Sequence, residues 1–178
     1  MRKLANAELN RISADEFKKT SKTPIIVVLD NVRSLNNIGS IFRTADAFKL
    51  EAIYLCGICA TPPHKEIHKT ALGAEDTVHW EYFSETQTAV EKLRNEKYVL
   101  VAVEQTEKSI MLEDYPIDDQ TKYALLFGNE VKGVQQEIIN QCSESVEIPQ
   151  FGTKHSFNVS VSAGIVLWEW YRKMILKK

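Results

Sequence analysis

Four short apolar runs constrain this chain more than any other feature. They are residues 25–29 (IIVVL), 52–55 (AIYL), 98–103 (YVLVAV) and 123–127 (YALLF). Each is rich in β-branched or aromatic residues and continuous rather than alternating. Strands covered on both faces, as in parallel sheets, read this way. Helical patterns lie between them. Ile38, Ile41, Phe42, Ala45 and Phe48 follow the 3.6-residue period, with Asn36 or Asn37 in position to cap the helix. Residues 65–72 suggest a short helix stopped by Gly73, 78–80 a weak strand, and 85–95 a polar helix. A helix over 134–142, a short strand over 146–148 and a last helix over 157–174 complete the pattern. The last helix carries Val161, Ile165, Trp168 and Tyr171 or Arg172 near one stripe. Strands alternating with helices predict an α/β fold, a parallel sheet with helices on both faces. In such sheets ligands sit beyond the carboxyl ends of the strands. Residues 1–23 read as a polar helical arm and 24–178 as one domain, since 178 residues suffice for a single core.

Charge narrows the function classes. The formal net charge is −2, which excludes a broadly basic nucleic-acid binder but leaves room for a local patch. Lys and Arg crowd both ends: Arg2, Lys3, Arg11, Lys18, Lys19 and Lys22, then Arg172, Lys173, Lys177 and Lys178. They read either as solvated helix faces or, if the ends meet, as a phosphate-contacting surface. No apolar run approaches the ~18–20 residues needed to span a bilayer, and the polar start lacks a secretory core, so a cytoplasmic protein is expected. Three cysteines give no disulfide framework. Cys56-x-x-Cys59 followed by His64 and His68 has the wrong spacing for common zinc sites, so packing roles and no metal are expected. Neither a G-x-G-x-x-G nor a G-K-[ST] loop is present.

Three segments bear chemistry-prone residues at predicted strand ends. In the first, LDNVRSLNNIGSIFR, a strand runs through a polar loop into a helix that carries Asn37, Gly39 and Arg43. In the second, LLFGNEVKGV, a strand meets Gly128, Asn129 and Glu130; glycine lets backbone turn or a ligand approach closely. In the third, EIPQFGTKHSFNVSVSAGIVLWEW, a loop leads to Ser156 or Asn158 and then to the small residues Ser160, Ser162, Ala163 and Gly164. Alone, each reads equally as a capped helix on an ordinary turn. His155 is either a substrate neighbour or a solvent-facing loop residue.

Together and in this order the segments resemble the three motifs of the SpoU (TrmH-type) branch of the SPOUT RNA methyltransferases. The resemblance covers residues 24–176, and the stretch KTALGAED over 69–76 also resembles a recurring segment of that family. It implies a parallel-sheet fold whose C-terminal part forms a deep trefoil knot, which general topology rules do not suggest. It implies a homodimer with an active site where the knotted regions meet, and S-adenosylmethionine bound mainly through backbone. The implied cofactor contacts are Val103, Glu104, Thr106, Gly128, Ile148, Ser156 and Phe157; the family usually has leucine where Phe157 stands. The implied catalytic set is Arg43, Asn37, Glu130, Ser156 and Asn158. Glu130 and Asn37 would orient Arg43 and the loops, while Ser156 and Asn158 suit hydrogen bonds to loop backbone or ribose. The resemblance makes Arg43 the general base for a ribose 2′-hydroxyl. A guanidinium ordinarily keeps its proton, so stabilising the developing alkoxide is the alternative role. The implied partner is RNA. Only some 23 residues precede the first strand, which points to transfer RNA; ribosomal RNA, a base nitrogen as acceptor, or a silent RNA-binding relative are the alternatives.

Overall fold

The computed structural model describes residues 1–177, without the side chains of Asn6 and Ala7. Lys178, counted above among the basic ends, lies outside the described residues. Seven strands form one sheet: β1 (Thr23–Asp30), β2 (Leu50–Cys56), β3 (Trp80–Phe83), β4 (Val99–Val103), β5 (Ile110–Met111), β6 (Tyr123–Phe127) and β7 (Glu144–Glu147). Their order is β3-β2-β1-β6-β4-β7-β5, and every paired neighbour is parallel. The continuous apolar runs are therefore the central strands. Alternate residues of each run bury into opposite faces: Ile25, Val27 and Leu29 on one side, Ile26 and Val28 on the other.

The helices are α1 (Ala14–Lys19), α2 (Leu35–Ala47), α3 (Lys65–Ala71), α4 (Thr86–Asn95), α5 (Gln136–Ile139) and α6 (Val159–Tyr171). Ile38, Ile41 and Phe42 of α2 pack with Val166, Leu167 and Trp170 of α6 in the core of the first face. Ala89, Val90 and Leu93 of α4 and Ile138 of α5 fill the second. Among the described residues no helix is long and apolar enough to cross a membrane.

Several local expectations shift. The cap of α2 is Ser34, not Asn36 or Asn37: its hydroxyl accepts from the Asn37 backbone N–H (3.3 Å), leaving the Asn37 side chain free to turn inward. The stretch expected as a helical arm contains a 3-10 turn (Asn6–Leu9) and the six-residue α1, while Thr23 and Pro24 already belong to β1. Proline is tolerated where a strand begins. The strand expected at 78–80 sits at Trp80–Phe83, and the one at 146–148 at Glu144–Glu147. The helix expected over 134–142 shrinks to Gln136–Ile139, because Val134 and Gln135 are held in the preceding loop by Glu104 and Asp30. β5 has two residues and no pattern to read. The last helix ends at Tyr171 and continues as a wider π turn over Arg172–Leu176. Its core face is Ala163, Val166, Leu167 and Trp170, whereas Val161 and Trp168 of the expected stripe point outward. This helix is apolar nearly all round, so periodicity alone could not choose its buried side.

Trp170 is the largest side chain in the core. It stacks on Tyr115 (centroids 5.1 Å, 27° between planes) and meets Tyr123 edge-on (5.9 Å, 81°). Its indole N–H has no hydrogen-bond partner among the described residues. Trp170→Ala is expected to cost ~3–5 kcal/mol in urea unfolding. Trp170→Phe is expected to cost less than half of that, because it also removes a buried, unpaired donor worth about 1–3 kcal/mol.

Candidate active site

The carboxyl ends of β1, β4 and β6 converge, and the three chemistry-bearing segments meet there. Glu130, just past β6, reaches back to the loop between β1 and α2. Its carboxylate accepts from the backbone N–H groups of Arg33 and Ser34 (both 3.0 Å) and from the Asn37 side-chain amide (3.2 Å). Partial burial pushes the Glu130 pKa up, but these donors outweigh it and hold the carboxyl below the usual glutamate range. The amide oxygen of Asn37 in turn accepts from the Asn158 side chain (3.1 Å) and from the Ser160 hydroxyl (3.4 Å). Asn158 is the N-cap of α6; its oxygen accepts from the backbone N–H of Ser160 and Val161 (2.9 and 3.4 Å). Glu130, Asn37 and Asn158, 121 residues apart at their extremes, thus form one hydrogen-bonded relay.

The loop after β6 is tightly folded. Asn129 and Gly133 exchange backbone hydrogen bonds (3.0 and 2.9 Å), and the Asn129 side chain accepts from Val131 N–H while donating to the Asn31 carbonyl. A Cβ at Gly128 would overlap the backbone of Gly133 and Val134. At Gly133, whose φ is +67°, it would strike the Glu104 carboxylate. Glu104 is fixed by the N–H groups of Val134 and Gln105 (3.0 and 3.1 Å).

Beside the relay opens a cavity of about 570 Å³, and a smaller one of about 110 Å³ shares part of its lining. Val103, Glu104, Ser156 and Phe157 line both parts; Gly128, Glu130 and Asn158 line the larger and Ile148 the smaller. His155 also lines both. Two sequence-predicted residues lie elsewhere. Thr106 turns away, its hydroxyl 2.6 Å from that of Ser145. Arg43 is exposed, with no hydrogen-bond or ion-pair partner among the described residues, in a groove bounded by α2, α3 and α6 and lined by Phe48, Lys69 and Gly164. Sequence reasoning gave no site role to Asn31, Ser34, Asn129 and Ser160. The signal for Asn129 was present, since an asparagine at a turn characteristically bonds backbone two residues on; Asn31 and Ser160 depend on contacts distant in sequence.

The cysteine–histidine cluster has other employment. Burial raises the thiol pKa of Cys56 strongly and that of Cys59 to about 11. His64 caps α3 through the Glu66 N–H (3.2 Å), and His68 contacts Glu75 (2.5 Å).

The profile of the SpoU rRNA Methylase family matches residues 24–168. The chain is 33% identical to the 23S rRNA (guanosine-2'-O-)-methyltransferase RlmB of Neisseria meningitidis, over 92% of this chain and 64% of that protein. It thus spans just under two thirds of that relative's length. Among solved structures, the Aquifex aeolicus TrmH/SpoU tRNA modifying enzyme superposes with a TM-score of 0.81 at 27% identity, covering 92% of this chain and 82% of the other. The AdoMet-bound rRNA methyltransferase from Sinorhizobium meliloti gives 0.78 at 28% identity, over 89% and 60% of the two chains.

Because the folded state lowers the Glu130 pKa, that carboxylate contributes stability above the unfolded value of ~4.3, and the contribution is lost as pH falls through the folded value. Glu130→Gln should therefore lower the melting temperature at pH 7. The gap to the unmodified protein should narrow progressively below about pH 4.3. Thermal melts across a pH series measure this directly, and a gap independent of pH would contradict the assignment.

Proposed function

Because the chain belongs to the SpoU rRNA Methylase family, we propose that it transfers the methyl group of S-adenosylmethionine to a ribose 2′-hydroxyl of RNA, as a cytoplasmic enzyme. The observation that carries the reading is the relay Glu130–Asn37–Asn158, which ties the three motif segments together along the wall of one cleft. The donor set suits this cofactor. Among the lining residues Glu104 and Glu130 are carboxylates and Lys132 the one fixed cation, a surplus of negative charge facing a ligand that carries a sulfonium and an ammonium against one carboxylate. Val103, Phe127 and Phe157 give apolar surface for a nucleoside, and a cavity of this size is ordinary for a small-molecule site. Val103, Glu104, Gly128, Ile148, Ser156 and Phe157 would hold it. Thr106, turned from the cleft, enters this set only through its backbone. When bound, the cofactor supplies an electrophilic methyl group on a positively charged sulfur.

The chain's own residues then position the acceptor. Glu130 and Asn37 fix the loop before α2 and the start of α6, so the cleft is preorganised before substrate arrives. Asn158 and Ser156 offer hydrogen bonds at its rim. Arg43 supplies positive charge for the oxygen as its proton leaves.

Arg43 stands apart from the cleft of its own chain, and this supports a homodimer whose site is completed by two copies. Val161, Trp168 and Ile175 of the C-terminal helical stretch are 49, 48 and 47% exposed, and Gly164 on the same side of α6 lines the Arg43 groove. A second copy seated there would cover the apolar face and enclose Arg43. The reading includes a knotted C-terminal half. Its support is the connection between β4 and β6, which lies over α6: Tyr115 stacks on Trp170, and the Lys173 ammonium donates to the carbonyls of Glu113 and Tyr115 (2.8 and 3.0 Å). The strand before α6, β7, sits on the far side of β4. Transfer RNA is the acceptor we favour and ribosomal RNA the second.

Labelled S-adenosylmethionine incubated with separate pools of transfer and ribosomal RNA tests the reaction and its substrate together. Label is expected on ribose in one pool, and labelling of neither would refute the reading. Arg43→Lys should lower turnover by about 100-fold with cofactor and RNA affinity retained, as loss of one oriented donor to a developing oxyanion does. Trp168→Glu should convert the dimer to a folded monomer in sedimentation equilibrium and abolish transfer.

A further inference from the structure

The loop after β6 has a second side. Across it from the cofactor cleft lies a separate groove of about 780 Å³, bounded by Arg33, Ile58, Val131, Lys132 and Glu137. The two sides differ in charge. Lys132 lines both sides; the cleft adds the carboxylates of Glu104 and Glu130 and the groove adds Arg33, and neither cation's side chain has a hydrogen-bond or ion-pair partner among the described residues. Asp30, at the groove floor, is fully buried and already accepts from Thr86, Gln135 and Asn31. Only Glu137 at the rim offsets the two cations.

Both cations stand on hydrogen-bonded backbone. The Arg33 N–H donates to Glu130 (3.0 Å) and the Lys132 N–H to Asn129 (3.2 Å). Lys92, Lys69 and Lys177 have acidic partners in Glu81, Glu66 and Asp119; Arg33 and Lys132, like several other surface cations, have none among the described residues. Two unmatched cations fixed at the strand ends suit a polyanion. In the same groove Ile58 and Val131 are 62 and 79% exposed, apolar surface available to a base.

We propose that Arg33 and Lys132 clamp the phosphodiester backbone of the acceptor RNA beside the methylated nucleotide, with a flanking base resting on Ile58 and Val131. This rests on the reading of the chain as an RNA methyltransferase and adds the residues that dock the strand. The loop after β6 then stands between cofactor and substrate, with Glu104 and Glu130 toward the cationic cofactor and Arg33 toward the anionic strand.

The test measures binding of labelled unfractionated transfer RNA and of total ribosomal RNA to the full chain at several salt concentrations, with cofactor affinity measured in parallel by calorimetry. Arg33→Ala and Lys132→Ala should each weaken RNA binding by about 5–10-fold near 0.1 M salt and lower the slope of log K against log salt by about one. Arg33→Lys should keep the slope. Lys122→Ala, at the opposite end of the sheet, should change nothing. In Arg33→Ala, which does not line the cleft, cofactor affinity and melting temperature should hold, and the loss of transfer should appear in KM for RNA rather than kcat. If the unmodified chain binds and methylates RNA while both alanine variants keep its affinity and slope, the clamp is wrong and the methyltransferase reading stands. If the unmodified chain binds neither RNA at low salt, both fall. An equal drop in cofactor affinity in Arg33→Ala would also overturn the clamp, since it would mean that this variant disturbs the cleft.

Discussion

The site depends on one carboxylate. Glu130 lies after the sixth strand, yet two of its acceptor positions are filled by backbone N–H groups 96 and 97 residues earlier and a third by Asn37. An ionised acceptor of several N–H groups makes stronger hydrogen bonds than a neutral one. The segment before α2 would otherwise be an ordinary solvated loop with free N–H groups. Bound to Glu130, it becomes a wall of fixed geometry, and it places Asn37 where its oxygen can take the Asn158 amide. The entry to α6 is thereby set by a residue of α2, which is set in turn by the loop after β6.

This coupling is possible because of strand order. β6 enters between β1 and β4, so its carboxyl end emerges at the centre of the sheet, beside the first segment, rather than at an edge. Asp30 secures the arrangement from beneath. A fully buried carboxylate is costly unless paired or richly hydrogen-bonded, and this one accepts from the Thr86 hydroxyl (2.6 Å), the Gln135 N–H and side chain (2.8 and 2.7 Å) and the Asn31 side chain (2.8 Å). It fastens the starts of α4 and α5 to the end of β1. Gly128 and Gly133 complete the packing, since a side chain at either would displace the loop from Glu104 and from itself.

How much of this was legible follows from the range of each interaction. The central strands were readable because burial on both faces leaves a continuous apolar run. The period of α2 was readable for the same reason, and Ile38, Ile41, Phe42 and Ala45 are all fully buried. The cap of α2 was not, because Asn37 and Ser34 are both good capping types, and Asn37 is drawn away only by partners near residues 130 and 158. The helix expected after Val134 was shortened by Glu104 and Asp30, again contacts invisible to a local pattern. The motif resemblance located Asn37, Glu130 and Asn158 but gave no sign that they touch. It also named Thr106, whose hydroxyl is taken by Ser145.

The last helix shows why sequence could not decide between core and interface. A helix on the surface of a monomer needs one apolar stripe. α6 carries two. One side, with Ala163, Val166, Leu167 and Trp170, is spent on the sheet and on α2. The other, with Val161 and Trp168, faces outward, and Phe48 leans on it through Trp168 and Tyr171 at ring distances of 6.2 and 5.1 Å. Leaving such a stripe in water gains nothing for the single chain, and the glycine at 164 lines the groove that holds Arg43. Arg43, exposed and without a hydrogen-bond or ion-pair partner among the described residues, is on this outward side, whereas the relay that shapes the cleft is on the inward one. The proposed site needs both, so one chain does not close it, and the second apolar stripe of α6 is the physical ground for proposing another copy against it.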